Sequence, residues 1–250
     1  MITSPISSRP TNRIGRAATA AIAVGAALTF VLSGCSDSDN SSSDAASDPA
    51  SPATEAAPDV AATELALAES DFPTGGKFSV DDKAAIDKDN AADDKPVITP
   101  AACEKVGNQD EGDFDKAKAK WEGEAVQYAV TVELGIDDSF DKVRNDVASC
   151  PEMTFTPKPG DSNGVTATLK NRVAEVSGAN KPALAVISEG TAKLGTETAA
   201  MQLLTIGSYV NGSTVSVSVT KIGGTISDEE NAQSVELLNK QIAKVINADS

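Results

Sequence analysis

Three short patterns in this chain set reactive residue types at spacings that could do chemistry. Ser139-Phe140-Asp141-Lys142 is an S-x-x-K pattern, in which a lysine one helical turn away can serve a serine nucleophile. Gly160-Asp161-Ser162-Asn163-Gly164 is a G-x-S-x-G pattern, the sharp turn on which a hydrolase presents its serine. Asp87-Lys88-Asp89-Asn90 opens like a calcium-binding loop. Each lacks the rest of its machinery. The chain has no histidine, which removes Ser-His and Cys-His catalysis and imidazole-ligated zinc. S-x-x-K enzymes also need S-D-N and K-T-G elements, and Lys193-Leu194-Gly195 is only a near match. The calcium loop needs a ligand, a glycine and a glutamate where Ala91, Ala92 and Ile98 stand. The sequence therefore predicts no catalytic residue, no cofactor and no metal ligand, that is, a protein that is not an enzyme. Non-motif binding of a divalent cation by the acidic run stays open.

Charge narrows the partners. Of 250 residues, 37 are acidic and 21 basic, a net charge of −16, which argues against nucleic acid because phosphates are met by clustered Lys and Arg. Aromatic residues make up 4% of the chain, so the core must be built from Val, Leu, Ile and Ala.

The three cysteines carry the remaining chemistry. Cys35 ends the segment Leu32-Ser33-Gly34-Cys35. Arg9, Arg13 and Arg16 precede it without an acid among them, and the apolar run Ala17 to Leu32 is too short and Ala-rich for a membrane span. This segment resembles a bacterial lipobox, cut just before a cysteine that carries diacylglycerol. Residues 1–34 then form a signal peptide, and the mature chain starts at Cys35 with 18 basic and 37 acidic residues, net −19. Lipid chains on Cys35 supply the membrane affinity. Residues 35–62, rich in Ser, Asp, Ala and Pro, have almost nothing to bury and read as a disordered tether. With Cys35 lipidated, Cys103 and Cys150 remain as a pair in an oxidising compartment, where a disulfide is expected. The competing reading is two buried thiols. Asn40-Ser41-Ser42 and Asn211-Gly212-Ser213 match the glycosylation pattern, which is too short to carry weight.

The elements that must position these residues are expected within 63–250, as a single domain. Glu64 to Glu69 reads as a helical turn, Lys77 to Val80 as a strand, Asp81 to Lys95 as an acidic surface loop, and Thr99-Pro100 as the start of a short helix holding Cys103. Ala125 to Ile136 alternates with period two, placing Val126, Tyr128, Val130, Val132, Leu134 and Ile136 on one face of a strand. Asp137 or Asp138 is expected to cap a helix to Ser149, with Phe140, Val143 and Val147 on one stripe. Glu152 to Thr156, Val165 to Val176 and Ala183 to Ser188 read as strands. Thr198 to Val210 and Thr214 to Ile222 flank Asn211-Gly212, a hairpin signal. A closing helix from Asp228 to Asn247 starts at a Ser227/Glu230 capping box and buries Val235, Leu238, Ile242 and Val245. Trp121 lies before the long strand, either buried at the sheet edge or exposed as a partner anchor. The outcome is an α+β domain: an antiparallel β-sheet with two main helices packed on one face, after a disordered N-terminal tether.

Several residues together look familiar. Asp71-Phe72-Pro73 precedes a short strand, Pro100-Ala101-Ala102-Cys103 follows, then a strand with Tyr128, a helix ending at Cys150, and a final strand Gly212-Ser-Thr-Val-Ser-Val before the last helix. Over Leu65 to Ala248 this resembles the PknH-like extracellular sensor domain of actinobacterial receptor serine/threonine kinases, and related lipoproteins of unknown function. The resemblance implies a helix-flanked antiparallel sheet with a ligand cleft. The chain departs from the family in having one cysteine pair where two disulfides are usual, and no kinase domain. Two functions are carried forward. One is a non-catalytic, sensor-like binding module, lipid-anchored through Cys35 on the outer face of the cell membrane, taking a small apolar ligand, lipid or glycan. The other is an interaction lipoprotein that holds an envelope protein partner, with no small ligand.

Overall fold

A computed structural model describes residues 56–90, 96–104, 113–135, 139–157 and 165–248. Cys35, the signal segment, most of the tether, Ile136, Asp137, Asp138 and Gly160 to Gly164 lie outside the described residues. The elements run in the order α1 (Ala62–Leu65), a 3-10 turn (Glu69–Asp71), β1 (Lys77–Asp81), α2 (Lys83–Asn90), β2 (Val97–Thr99), a 3-10 turn (Ala101–Cys103), β3 (Lys116–Glu122) and β4 (Val126–Leu134). There follow α3 (Phe140–Ser149), β5 (Glu152–Thr156), β6 (Thr166–Glu175), β7 (Ala183–Leu194), β8 (Glu197–Val210), β9 (Ser213–Ile222) and α4 (Asp228–Asn247). The nine strands make one sheet in the order β1-β3-β4-β9-β8-β7-β6-β5-β2, and every neighbouring pair is antiparallel.

Local chemistry sets the register. β8 and β9 turn on Asn211 and Gly212, at φ of 47° and 60°, so both central residues are left-handed as a two-residue hairpin loop requires. The α+β class, the antiparallel sheet and the two main helices expected from the sequence are all present. The helices, however, lie on opposite faces. Ala185 and Ile206 pair across β7 and β8 in the core under α4, with Leu237, Leu238, Ile242 and Val245. Their neighbours Leu184, Val186 and Leu203 point the other way and pack with Val143 and Val147 of α3. Successive strand residues alternate faces, so β7 and β8 are apolar on both sides, and each side needs its own helix.

Three further differences have simple causes. Asp81 to Lys95, expected as a loop, contains α2. Asp82 Oδ1 accepts from the Ala85 N–H at 2.8 Å, and Lys83 bridges to Asp87 one turn on at 2.6 Å. β3 was not foreseen, because its apolar side consists largely of alanines between lysines. β7 runs on to Leu194 instead of stopping at Ser188.

The segment before β1 straps the α4 face. Leu65, Leu67 and Phe72 are buried in its core, and Asp115 Oδ2 accepts from the Ala62 N–H at 2.7 Å. Gln241 Nε2 donates to the Leu65 carbonyl at 2.8 Å, and Lys240 Nζ to the Asp71 carbonyl at 3.2 Å.

Candidate functional site

β9 alternates Val215, Val217 and Val219 with Thr214, Ser216 and Ser218. Such alternation ordinarily turns the polar side to water. Here the valines lie under α4, and yet Thr214 and Ser216 are also buried, at 6% and 5% exposure. The register sets Ser216 beside Thr131 of β4 and Ser218 beside Thr205 of β8, both of them buried threonines. The Thr205 and Ser218 hydroxyls are 3.1 Å apart. The α3 face of the sheet centre is thus a covered floor of hydroxyl groups. On β3 it continues into Lys118, opposite Thr131, and Lys116, both buried.

α3 closes one side of this floor. Phe140 stacks on Tyr209 with ring centroids 5.0 Å apart and planes inclined at 46°. Phe140 and Val143 face Leu184 and Val186, and about 20 Å³ of space remains between them and the hydroxyls. That is room for one water- or hydroxyl-sized group. Thr214 Oγ1 lines this slot, is buried, and has no hydrogen-bond partner among the described residues. A buried hydroxyl without a partner costs about 1–3 kcal/mol, and the space beside it has room for one polar group such as a water.

Phe140 also borders a second, larger space. An open groove of about 430 Å³ lies between the start of α3 and the β6–β7 connection. Val176 and Pro182 give it apolar wall, while Arg144, Asn180 and Lys181 bring polar groups. Arg144 donates to Glu175 at 3.0 Å and to Asp141 at 3.1 Å, tying α3 to the end of β6. Glu175 and then Asp141 raise the guanidinium pKa against the lowering effect of desolvation, so Arg144 is charged at every working pH. The connection is fixed from behind. Asn239 of α4 accepts from the Asn180 N–H at 2.7 Å and donates to the Gly178 carbonyl at 2.9 Å, with Gly178 at φ 85°.

The residues singled out in the sequence take other places. Cys103 and Cys150 are joined as a disulfide with Cα atoms 5.2 Å apart, fully buried in the α3 core. Ser139 of the S-x-x-K pattern stands at the N-cap of α3. Asp87 is bridged by Lys83 and by Lys116, each at 2.6 Å, so its carboxylate serves α2 docking. Among the described residues no cluster of three or more acidic or sulfur groups is placed to hold a metal ion, and no helix is long and apolar enough to cross a membrane. Trp121 is buried. Its indole packs on Tyr128 at 5.6 Å and fills the space beside Gly76 and Gly123, where an added Cβ would fall within about 2.5 Å of the ring. Burial, followed by the nearby Glu230 and Glu229, pushes the Tyr128 hydroxyl up to about 12. Phe140, Arg144, Asn180, Lys181 and Thr214 were not foreseen as site residues. The one signal in the sequence was the hydroxyl series at 214, 216 and 218, which ordinary alternation explains equally well.

Two solved structures are similar to this chain. One is an uncharacterised protein from Mycobacterium smegmatis, 18% identical, with a TM-score of 0.40 over 74% of this chain and 94% of that one. The other is the extracellular domain of PknH from Mycobacterium tuberculosis, 14% identical, with a TM-score of 0.44 over 74% of this chain and 97% of that one. No family model matches the chain, and no curated protein does.

Proposed function

We propose that this chain is an exported lipoprotein whose folded domain is a non-catalytic ligand-binding module. It is held at the outer face of the cell membrane by lipid on Cys35, and it binds its ligand at Phe140. The observation that carries the binding half is the junction at this ring. An open groove of about 430 Å³ lies on one side, large enough for a small molecule, and the slot with the unpartnered Thr214 hydroxyl lies on the other. Among the described residues, the large apolar side chains left exposed speak against a protein-docking face. Val80 and Val97 lie on strands at opposite ends of the sheet, Val173 on β6 and Ile246 near the end of α4, so they form no common patch.

The anchor half rests on Leu32-Ser33-Gly34-Cys35. Replacing Cys35 with Ala is expected to release the protein to the soluble fraction or leave the precursor uncut. A Cys35→Ala protein that stays membrane-bound and normally processed overturns the anchor. For the binding half, native mass spectrometry of protein gently extracted from its own membranes is expected to show a reproducible mass beyond the anchor. That mass should be absent from a Phe140→Ala protein that still melts cooperatively. A bare wild-type protein, or one carrying a second polypeptide, overturns the ligand reading.

A further inference from the structure

We propose that the groove at Phe140 takes a neutral, polyhydroxylated ligand, a sugar unit of a glycan; this rests on the ligand-binding reading above and names the class of its ligand.

Size separates the candidates first. Pockets that bury apolar small molecules run to roughly 300 Å³ and more of largely enclosed space. The slot behind Phe140 offers about 20 Å³, room for one hydroxyl-sized group and not for an acyl chain. The bulk of any ligand must sit in the open groove of about 430 Å³, which is the size of a sugar ring or two and is edged with polar groups.

Charge separates them next. At the groove the Arg144 guanidinium is already balanced by Glu175 and Asp141, so Lys181 is the one further charge on its lining, and the slot is lined by no ionisable group but the phenol of Tyr209. The mature chain carries a net charge of −19, so its field repels a free anion. A neutral ligand meets no such penalty.

Geometry then fits a ring that is apolar on its face and hydroxylated at its edge. Phe140 is half-buried, is held by Tyr209 and borders the groove, so an aromatic ring stands in a fixed place beside the ligand. The negative face of an aromatic ring attracts the positively polarised C–H groups of a sugar. Around it stand the Arg144 N–H groups that Glu175 and Asp141 leave over and an amide that both donates and accepts on Asn180. Such groups pair with neighbouring hydroxyls, each of which also donates and accepts. Asn239 holds the Gly178–Asn180 backbone in place before any ligand arrives, which reduces the ordering cost of binding.

The mature lipoprotein in detergent, presented to an array of neutral and acidic oligosaccharides, tests this, with a fluorescent fatty acid titrated in parallel. At least one neutral oligosaccharide should be retained. Asn180→Ala, Arg144→Ala and Phe140→Leu should each weaken it about tenfold or more. Phe140→Leu keeps the apolar bulk and removes the ring, so an unchanged melting temperature with lost binding points to stacking. Retention that all three variants leave intact overturns the site. Retention of acidic oligosaccharides alone, or fatty-acid binding with no sugar retained, overturns the ligand class and leaves a ligand-binding domain standing. No probe bound, together with a bare native mass, overturns both.

Discussion

Lys116 shows how far this chain commits single residues to pairing. Its side chain is almost wholly buried on β3, and a buried ammonium must keep an acid beside it. Asp87 reaches it from α2 at 2.6 Å while also meeting Lys83. The hydrogen bond from Lys116, then that from Lys83, holds the Asp87 carboxyl below the usual carboxylate range. A depressed folded pKa contributes stability that is present above the ordinary value of about 3.9 and lost as pH falls through the folded value. Asp87→Asn should therefore melt below wild type at pH 7. The gap should close in acid, where wild-type Asp87 is itself protonated. Thermal melts of both proteins between pH 7 and 2 check this, and a gap of constant size would show that the carboxylate charge does not dock α2.

At the scale of elements, α4 is the best-specified piece. Ser227 Oγ accepts from the Glu230 N–H at 3.2 Å, and the Glu230 carboxylate accepts from the Ser227 N–H at 2.7 Å, closing the capping box. Lys221 of β9 donates to the same carboxylate at 2.8 Å, locking the helix start to the sheet. Leu238→Ala removes a fully buried side chain and should cost about 2–5 kcal/mol, against about 1 kcal/mol for Ser227→Ala. Urea unfolding of the two variants measures this, and equal losses would refute the ranking. Leu238, Ile242 and Val245 were legible as a stripe because period 3.6 depends only on the helix itself. Leu237 and Gln241 were not, since what buries them includes the strap at Leu65, a contact far away in sequence. The same division runs through the sheet. The β8–β9 hairpin was legible from Asn211-Gly212, whereas β3 hid behind Lys and Ala. The opposite placement of the two helices was written in the doubly apolar run Leu184-Ala185-Val186-Ile187, which period-two reading cannot assign to one face. The candidate site was the least legible part, since Arg144 and Asn180 meet only when α3 crosses to the β6–β7 connection.

For the whole molecule, one sheet divides two cores of unequal build. The α4 core is closed by a 20-residue helix and the N-terminal strap, whereas the α3 core relies on a 10-residue helix, the three-residue β2 and a 3-10 turn. Short elements bury little and gain most from a covalent tie. The Cys103–Cys150 bond supplies it, joining positions 47 residues apart, for which loop-closure entropy gives an upper contribution of about 4 kcal/mol. Denatured, unreduced protein should show no alkylatable thiol at Cys103 or Cys150, and two labelled thiols would exclude the bond. Its energetic reach can be read at a distance. Trp121, the single tryptophan, lies in the α4 core on the far side of the sheet from the disulfide. β7 and β8 pair over twelve consecutive residues and give side chains to both cores, so loosening one core weakens the strands on which the other packs. Reductant should therefore shift the urea midpoint of Trp121 fluorescence downward, although Trp121 has no contact with either sulfur. A midpoint unmoved by reduction would mean that the cores unfold separately and that the tie protects only the face carrying the proposed site.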